Sequence, residues 1–139
     1  MRKPKIIIFG DKRRENVVET IQKFHRFANG KVQILANCFC GDRFQDVLKD
    51  TDYAFVFGGD GTILSAAREL SENNIPVIGI NVGRLGFLAE FSLEQVKKLF
   101  GRIVSDKSLV EKRMVLQCTI SKNNGRKIVS TAINEIVIT

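Results

Sequence analysis

The sequence predicts an α/β fold: a three-layer domain with a mainly parallel sheet, followed by the first hairpin of an incomplete all-β domain. Three observations carry this. Short, continuous apolar runs at Lys5–Gly10, Tyr53–Phe57 and Pro76–Ile80 have the form of strands buried on both faces. Segments with helical apolar spacing lie between them, which demands right-handed crossovers and hence parallel strands. From about Leu109 the alternation stops. Two long strand-like runs, Leu109–Ser121 and Arg126–Thr139, then flank Lys122-Asn123-Asn124-Gly125, whose Asn-Gly is a strong hairpin signal.

Taken in order, Lys5–Gly10 is a β-branched run ended by Gly-Asp. Arg14–Ala28 follows as a helix: Val17, Val18, Ile21, Phe24 and Ala28 recur at helical spacing, and Asn29-Gly30 stops it. Val32–Ala36 and Tyr53–Phe57 are the next strands. Thr62–Asn73 is a helix with an apolar stripe of Ile63, Ala66, Ala67 and Leu70, and Pro76–Ile80 is a strand. Ser92–Arg102 is a helix in which Ser92 and Gln95 are spaced as a capping box. The boundary between the α/β domain, residues 1–105, and the β-rich unit, residues 106–139, falls where the helical pattern ends. An isolated hairpin is marginal in water, and the final run breaks off within Ile136-Val137-Ile138-Thr139, so the second unit reads as truncated.

At 139 residues the chain has the length of one domain or of one domain with part of another. No apolar run approaches the roughly 20 residues of a membrane span, and the first apolar run is too short for a secretory signal. These features predict a cytoplasmic protein without a membrane partner. The three cysteines, Cys38, Cys40 and Cys118, have no C-x-x-C spacing, which argues against a disulfide framework or a zinc site. Cys38 and Cys40 can both be ligands on one strand face, but no His or second Cys pair is near in sequence. Net charge is +7, and residues 97–139 hold nine basic and three acidic residues. Those basic residues alternate with Val, Leu and Ile and lack the interleaved aromatics of a single-strand binder, so no nucleic acid partner is expected. His25, the one histidine, falls on a helix and reads as packing.

Two glycine-rich segments carry the chemistry. Gly58-Gly59-Asp60-Gly61-Thr62 follows a buried strand and opens a helix, which places it at a strand's carboxyl end, where parallel sheets bind ligands. The glycines let backbone approach a ligand closely, and the first helical turn offers free N–H groups to an anion. Thr62 can cap that helix or give a hydroxyl to a phosphate. Asp60 is out of place among anion-binding amides. It is explained if it holds a cation bridging phosphate oxygens, if it takes a proton from an attacking hydroxyl, or if it merely caps the helix.

Asn81-Val82-Gly83-Arg84-Leu85-Gly86-Phe87-Leu88 also leaves a strand at its carboxyl end, so two such loops reach one edge of the sheet. Asn81 can both donate and accept there. Phe87 serves either as a core anchor, the favoured reading, or as a wall for a base or ribose. Asn134-Glu135 interrupts an apolar run. By pattern it is a solvated strand face; buried, it would suit vicinal ribose hydroxyls. No Walker A sequence and no Ser-His-Asp arrangement is present.

With Gly58–Thr62, the Asn81–Leu88 segment some twenty residues on, and Asn134-Glu135, the chain resembles NAD kinases over its whole length, as the first half of the family's sequence. Arg113 matches a basic position of that family. The first motif also occurs in diacylglycerol and sphingosine lipid kinases and in phosphofructokinases; the N-x-G-x-L-G-F-L segment is the more specific. The resemblance implies a nucleotide-binding α/β domain and transfer of a phosphoryl group from ATP, with a divalent metal (magnesium), to the adenosine 2′-hydroxyl of NAD. It implies that Asp60 is the catalytic aspartate that activates the hydroxyl. It places the Gly58, Gly59 and Gly61 backbone and Thr62 at the substrate phosphates, Phe87 beside the site, Asn81 as support of its loop, and Asn134 and Glu135 on the dinucleotide. It implies no protein-bound metal site, a homo-oligomeric parent, and inactivity of this half alone. A lipid kinase and a non-catalytic nucleotide-sensing module are the alternatives.

Overall fold

The computed structural model describes residues 2–39, 44–84, 86–89 and 91–133. Four parallel strands form one sheet: β1 (Lys5–Gly10), β2 (Gln33–Phe39), β3 (Tyr53–Gly58) and β4 (Val77–Asn81), in the order β2-β1-β3-β4. The central strands β1 and β3 are the continuous apolar runs. Every residue of β3, and all of β1 after Lys5, is buried, because both faces of the sheet are covered.

The helices α1 (Glu15–Ala28) and α4 (Leu93–Ser105) cover one face, and α3 (Asp60–Leu70) with the short α2 (Gln45–Leu48) covers the other. Alternate residues of each strand point to opposite faces. Thus Ile6 and Ile8 join Val17, Ile21 and Phe24 of α1, while Ile7 and Phe9 join Ile63, Ala66 and Leu70 of α3. Phe24 centres the first layer, with its ring 5.0 Å from Phe55, 5.3 Å from Phe57 and 6.4 Å from Phe100. The expected three-layer α/β architecture is therefore present.

Element ends differ from the sequence expectation where local capping decides. Helix α3 starts at Asp60, two residues before Thr62, because the turn at Gly58-Gly59 already delivers helical backbone. Its last turn tightens into a 3-10 segment at Ser71–Asn73. The capping box at α4 is formed, with Ser92 Oγ accepting from the Gln95 N–H and Gln95 Oε1 from the Ser92 N–H. Helix α2, four residues long, carries too short a pattern to be read from sequence.

The run from Leu109 is only partly a strand. Lys107–Leu109 is a 3-10 turn, and the hairpin strands are β5 (Leu116–Ser121) and β6 (Lys127–Ala132), an antiparallel pair separate from the main sheet. Their turn closes through Gly125 N–H to Lys122 O at 3.0 Å and Lys122 N–H to Arg126 O at 2.7 Å. Ile120, Ile128 and Val129 are exposed, although β6 also comes beside α3 and is partly buried at its end. Among the described residues, no helix is long and apolar enough to cross a membrane.

Candidate functional site

The strand registers bring the two glycine-rich loops together. Gly10 pairs with Phe57, and Gly58 with Asn81, so the segments after β1, β3 and β4 leave one edge of the sheet side by side. Beyond the ladder, the Val82 N–H donates to Gly58 O at 3.1 Å. The chain then loops out and returns beside β4, where the Asn81 N–H donates to Phe91 O at 2.7 Å and Ile80 pairs with Phe91.

Gly58 is required by local geometry. Its φ is +155°, and a Cβ there would lie 2.6 Å from Thr62 Oγ1. A Cβ at Gly59 or Gly61 would meet nothing within 4 Å among the described residues, so the turn borders open space at the carboxyl edge. The first turn of α3 presents its N–H groups to that space. Thr62 is not the cap: the N-cap is Gly59, with no side-chain hydrogen bond.

Asp60 does not cap α3 either. Its carboxylate turns to the second loop, where Oδ2 accepts from the Phe87 N–H at 2.9 Å and Oδ1 from the Leu88 N–H at 2.9 Å and the Ala89 N–H at 3.4 Å. These bonds, the Leu88 and Phe87 amides foremost, hold the carboxyl below its ordinary range, against a smaller opposing effect of desolvation. A Cβ at Gly86 would collide with the same carboxylate, so the second loop can close over Asp60 only with glycine there. Three converging N–H dipoles stabilise the ionised carboxylate, and Oδ2, with one amide bond, keeps a free lone pair. Among the described residues, no group of three or more His, Cys, Asp or Glu is arranged to hold a metal ion.

Asn81 stabilises its own loop, with Nδ2 donating to Arg84 O at 2.5 Å. Phe87 is 91% exposed, which overturns the core-anchor reading: the turn that aims its N–H at Asp60 sends the ring to solvent. Asn134 and Glu135 lie outside the described residues, as does Cys40. Cys38 is buried in the apolar layer under α3, and His25 on α1 pairs with Asn37 Oδ1 at 2.9 Å. Arg113 forms an exposed pair with Glu111. It lines a groove of about 970 Å³ that runs from Tyr53 and Pro76 along β4 to Leu88, the residue whose N–H meets Asp60.

Sequence reasoning missed two parts of this arrangement. The amides of Phe87, Leu88 and Ala89 have no signature in residue type, because any residue supplies an N–H. Gly86 was visible as a glycine, but the carboxylate it accommodates comes from a loop 26 positions earlier.

The chain is similar to curated proteins named NAD kinase. It is 42% identical over 97 residues to that of Buchnera aphidicola subsp. Baizongia pistaciae, covering 70% of this chain and 33% of the relative. It is 38% identical over 130 residues to that of Lachnoclostridium phytofermentans, covering 88% and 45%. The chain thus spans less than half the length of these relatives. Its fold matches a crystal structure of yeast NADH kinase complexed with NADH with a TM-score of 0.79 at 21% identity, over 96% of this chain and 45% of that one. The family model for the ATP-NAD kinase N-terminal domain matches residues 11–108, and the chain belongs to that family.

Proposed function

We propose that the whole protein is an NAD kinase that moves the terminal phosphoryl group of ATP to the adenosine 2′-hydroxyl of NAD, and that this chain supplies its nucleotide-binding half. The observation that carries the reading is the carboxylate of Asp60 held by the Phe87 and Leu88 amides, which makes one site of two loops. Residues 106–139 begin a second, β-rich domain in this reading. The enzyme works in the cytoplasm, where cysteines without disulfide spacing stay reduced.

Asp60 Oδ2 accepts one of the amide bonds and so keeps acceptor capacity for a hydroxyl. In the proposed step the ribose 2′-oxygen attacks the γ-phosphorus, the bond to the bridging oxygen of ADP breaks, and the hydroxyl proton passes to Asp60. A carboxylate with lowered pKa is a weak base. That suffices, because a loose phosphoryl-transfer transition state asks mainly for positioning and needs the proton late. Magnesium enters as part of the ATP substrate. The backbone of Gly58, Gly59 and Gly61, with Thr62, approaches the phosphates; Asn81 shapes the loop; Phe87 supplies an exposed ring for a base or ribose; Asn134 and Glu135 bind ribose hydroxyls.

The test is an assay of NADP formation from NAD and ATP by the longer protein, with calorimetric titration of ADP, NAD and a diacylglycerol substrate into this chain. NADP formation and nucleotide binding that weakens with salt are expected. Preference for the lipid over both nucleotides overturns the reading. This half alone is expected to make no NADP, since in-line transfer needs both substrates held.

A further inference from the structure

The segment after β1 carries three consecutive basic residues, Lys12, Arg13 and Arg14, at the edge where the two glycine-rich loops meet. They are not equivalent. Arg13 is committed to Asp11: its Nε donates to Oδ1 at 2.9 Å, its Nη2 to Oδ2 at 2.9 Å, and its backbone N–H to Oδ1 at 3.0 Å. This fork engages both oxygens of the Asp11 carboxylate, which Arg14 reaches only through its field. Among the described residues, no carboxylate pairs with Arg14.

Arg14 is nonetheless well placed. Its backbone is fixed at the start of α1, with its N–H donating to Asp11 O at 3.1 Å and its carbonyl accepting from the Val17 and Val18 N–H groups, each at 3.1 Å. Its side chain is exposed and reaches the loop after β4: a Cβ built on Gly83 would lie 4.0 Å from Arg14 Nη2. In the sheet β3 stands between β1 and β4. The guanidinium therefore links the first loop to the third past the carboxyl end of β3, where the Gly58-Gly59 turn borders open space. An exposed guanidinium with five donors, on a fixed backbone and without a salt bridge among the described residues, is poised to take phosphate oxygens as a planar fork.

We propose that the Arg14 guanidinium, set against Gly83 at the carboxyl end of β3, binds the phosphate chain of a nucleotide held at the Gly58–Thr62 turn. This rests on the nucleotide-site reading above. It adds a cationic side chain to the phosphate contacts of the Gly58–Thr62 turn, and it makes Arg14 a binding residue for whichever phosphate chain lies across that turn.

The experiment titrates ATP, NAD and inorganic tripolyphosphate separately into this chain and into Arg14→Ala, Arg14→Lys and Arg26→Ala variants. Arg26, in the last turn of α1, controls for loss of one surface charge. Arg14→Ala is expected to weaken binding by about 10- to 100-fold, the scale of hydrogen bonds to charged groups. Arg14→Lys, which keeps charge and stem and guards against a folding artefact, should fall between the parent and Arg14→Ala because the fork is lost. Arg26→Ala should match the parent. Loss for ATP and tripolyphosphate alone assigns Arg14 to the donor; loss for NAD alone assigns it to the dinucleotide pyrophosphate. Unchanged affinity of Arg14→Ala for all three ligands overturns the proposal, as does an equal loss in Arg26→Ala. If the unsubstituted chain binds none of them, the nucleotide-site reading fails first and the proposal with it.

Discussion

The backbone N–H of Leu88 donates to Oδ1 of Asp60 at 2.9 Å, across 28 positions of sequence. An acid that opens one helix thereby anchors the loop that follows the neighbouring strand. The two loops cannot be altered independently, and most of the expected behaviour of the site follows from that coupling.

Replacing Asp60 with Asn turns one of the two acceptor oxygens into an NH2 group that faces a backbone N–H. Hydrogen exchange at Phe87 or Leu88 should accelerate in Asp60→Asn. In the longer enzyme the turnover rate should fall by roughly 10²–10⁴, the usual contribution of acid–base catalysis. Near-normal turnover would remove Asp60 from the reaction and leave it as a loop anchor.

Two glycine substitutions should separate stability from binding. Gly86→Ala drives a methyl group into the Asp60 carboxylate and should lower both the melting temperature and nucleotide affinity. Gly61→Ala lies in the first turn of α3 with open space around its Cβ. It should hold or raise stability, by roughly 0.4–1 kcal/mol, through reduced unfolded-state freedom. It should still weaken nucleotide binding, because the methyl occupies ligand space. Melting curves and calorimetry on the two variants check the contrast; loss of stability in Gly61→Ala would contradict it.

The acid range should expose the pinned carboxylates. The paired Arg13 side chain and backbone lower Asp11 from 3.8 to about 2, and the loop amides lower Asp60. Both groups bind protons more weakly folded than unfolded, so folding is favoured while they are ionised. Their contribution is full above the ordinary carboxylate range and is lost as pH falls through the depressed native values. Carboxyl carbon shifts followed by NMR should place the Asp11 midpoint near 2; an unshifted midpoint would refute the Arg13 pairing.

Phe24 is fully buried at the centre of the layer between α1 and the sheet. Phe24→Ala should cost about 3–5 kcal/mol, a large share of the stability of a single domain. Urea denaturation measures it. A loss under about 1 kcal/mol would mean that the layer repacks around the cavity.

Much of the fold was legible because its signals are local. The runs Ile6-Ile7-Ile8 and Ala54-Phe55-Val56-Phe57 are apolar on both faces, as a central strand of a parallel sheet covered on both sides requires. Ser92 and Gln95 announced their capping box by spacing alone. The strand from Leu109 was overextended, because Leu109, Val110, Met114 and Val115 are apolar yet have no partner strand among the described residues. Hydrophobic alternation records the wish to be buried, not the presence of a neighbour.

By itself the sequence determined the layers, the parallel order of helix and strand, and the placing of Gly58–Thr62 and Asn81–Leu88 at strand ends, since each depends on periodicity and turn chemistry within a few residues. Only the tertiary structure decided what those loops do to one another. Phe87 turned outward, Asp60 left its helix to the Gly59 cap and joined the second loop, and Arg14 reached Gly83. Such contacts join backbone amides and open space from segments far apart in the chain. A backbone N–H carries no residue identity, so the register of three neighbouring strands had to be fixed before these groups could meet.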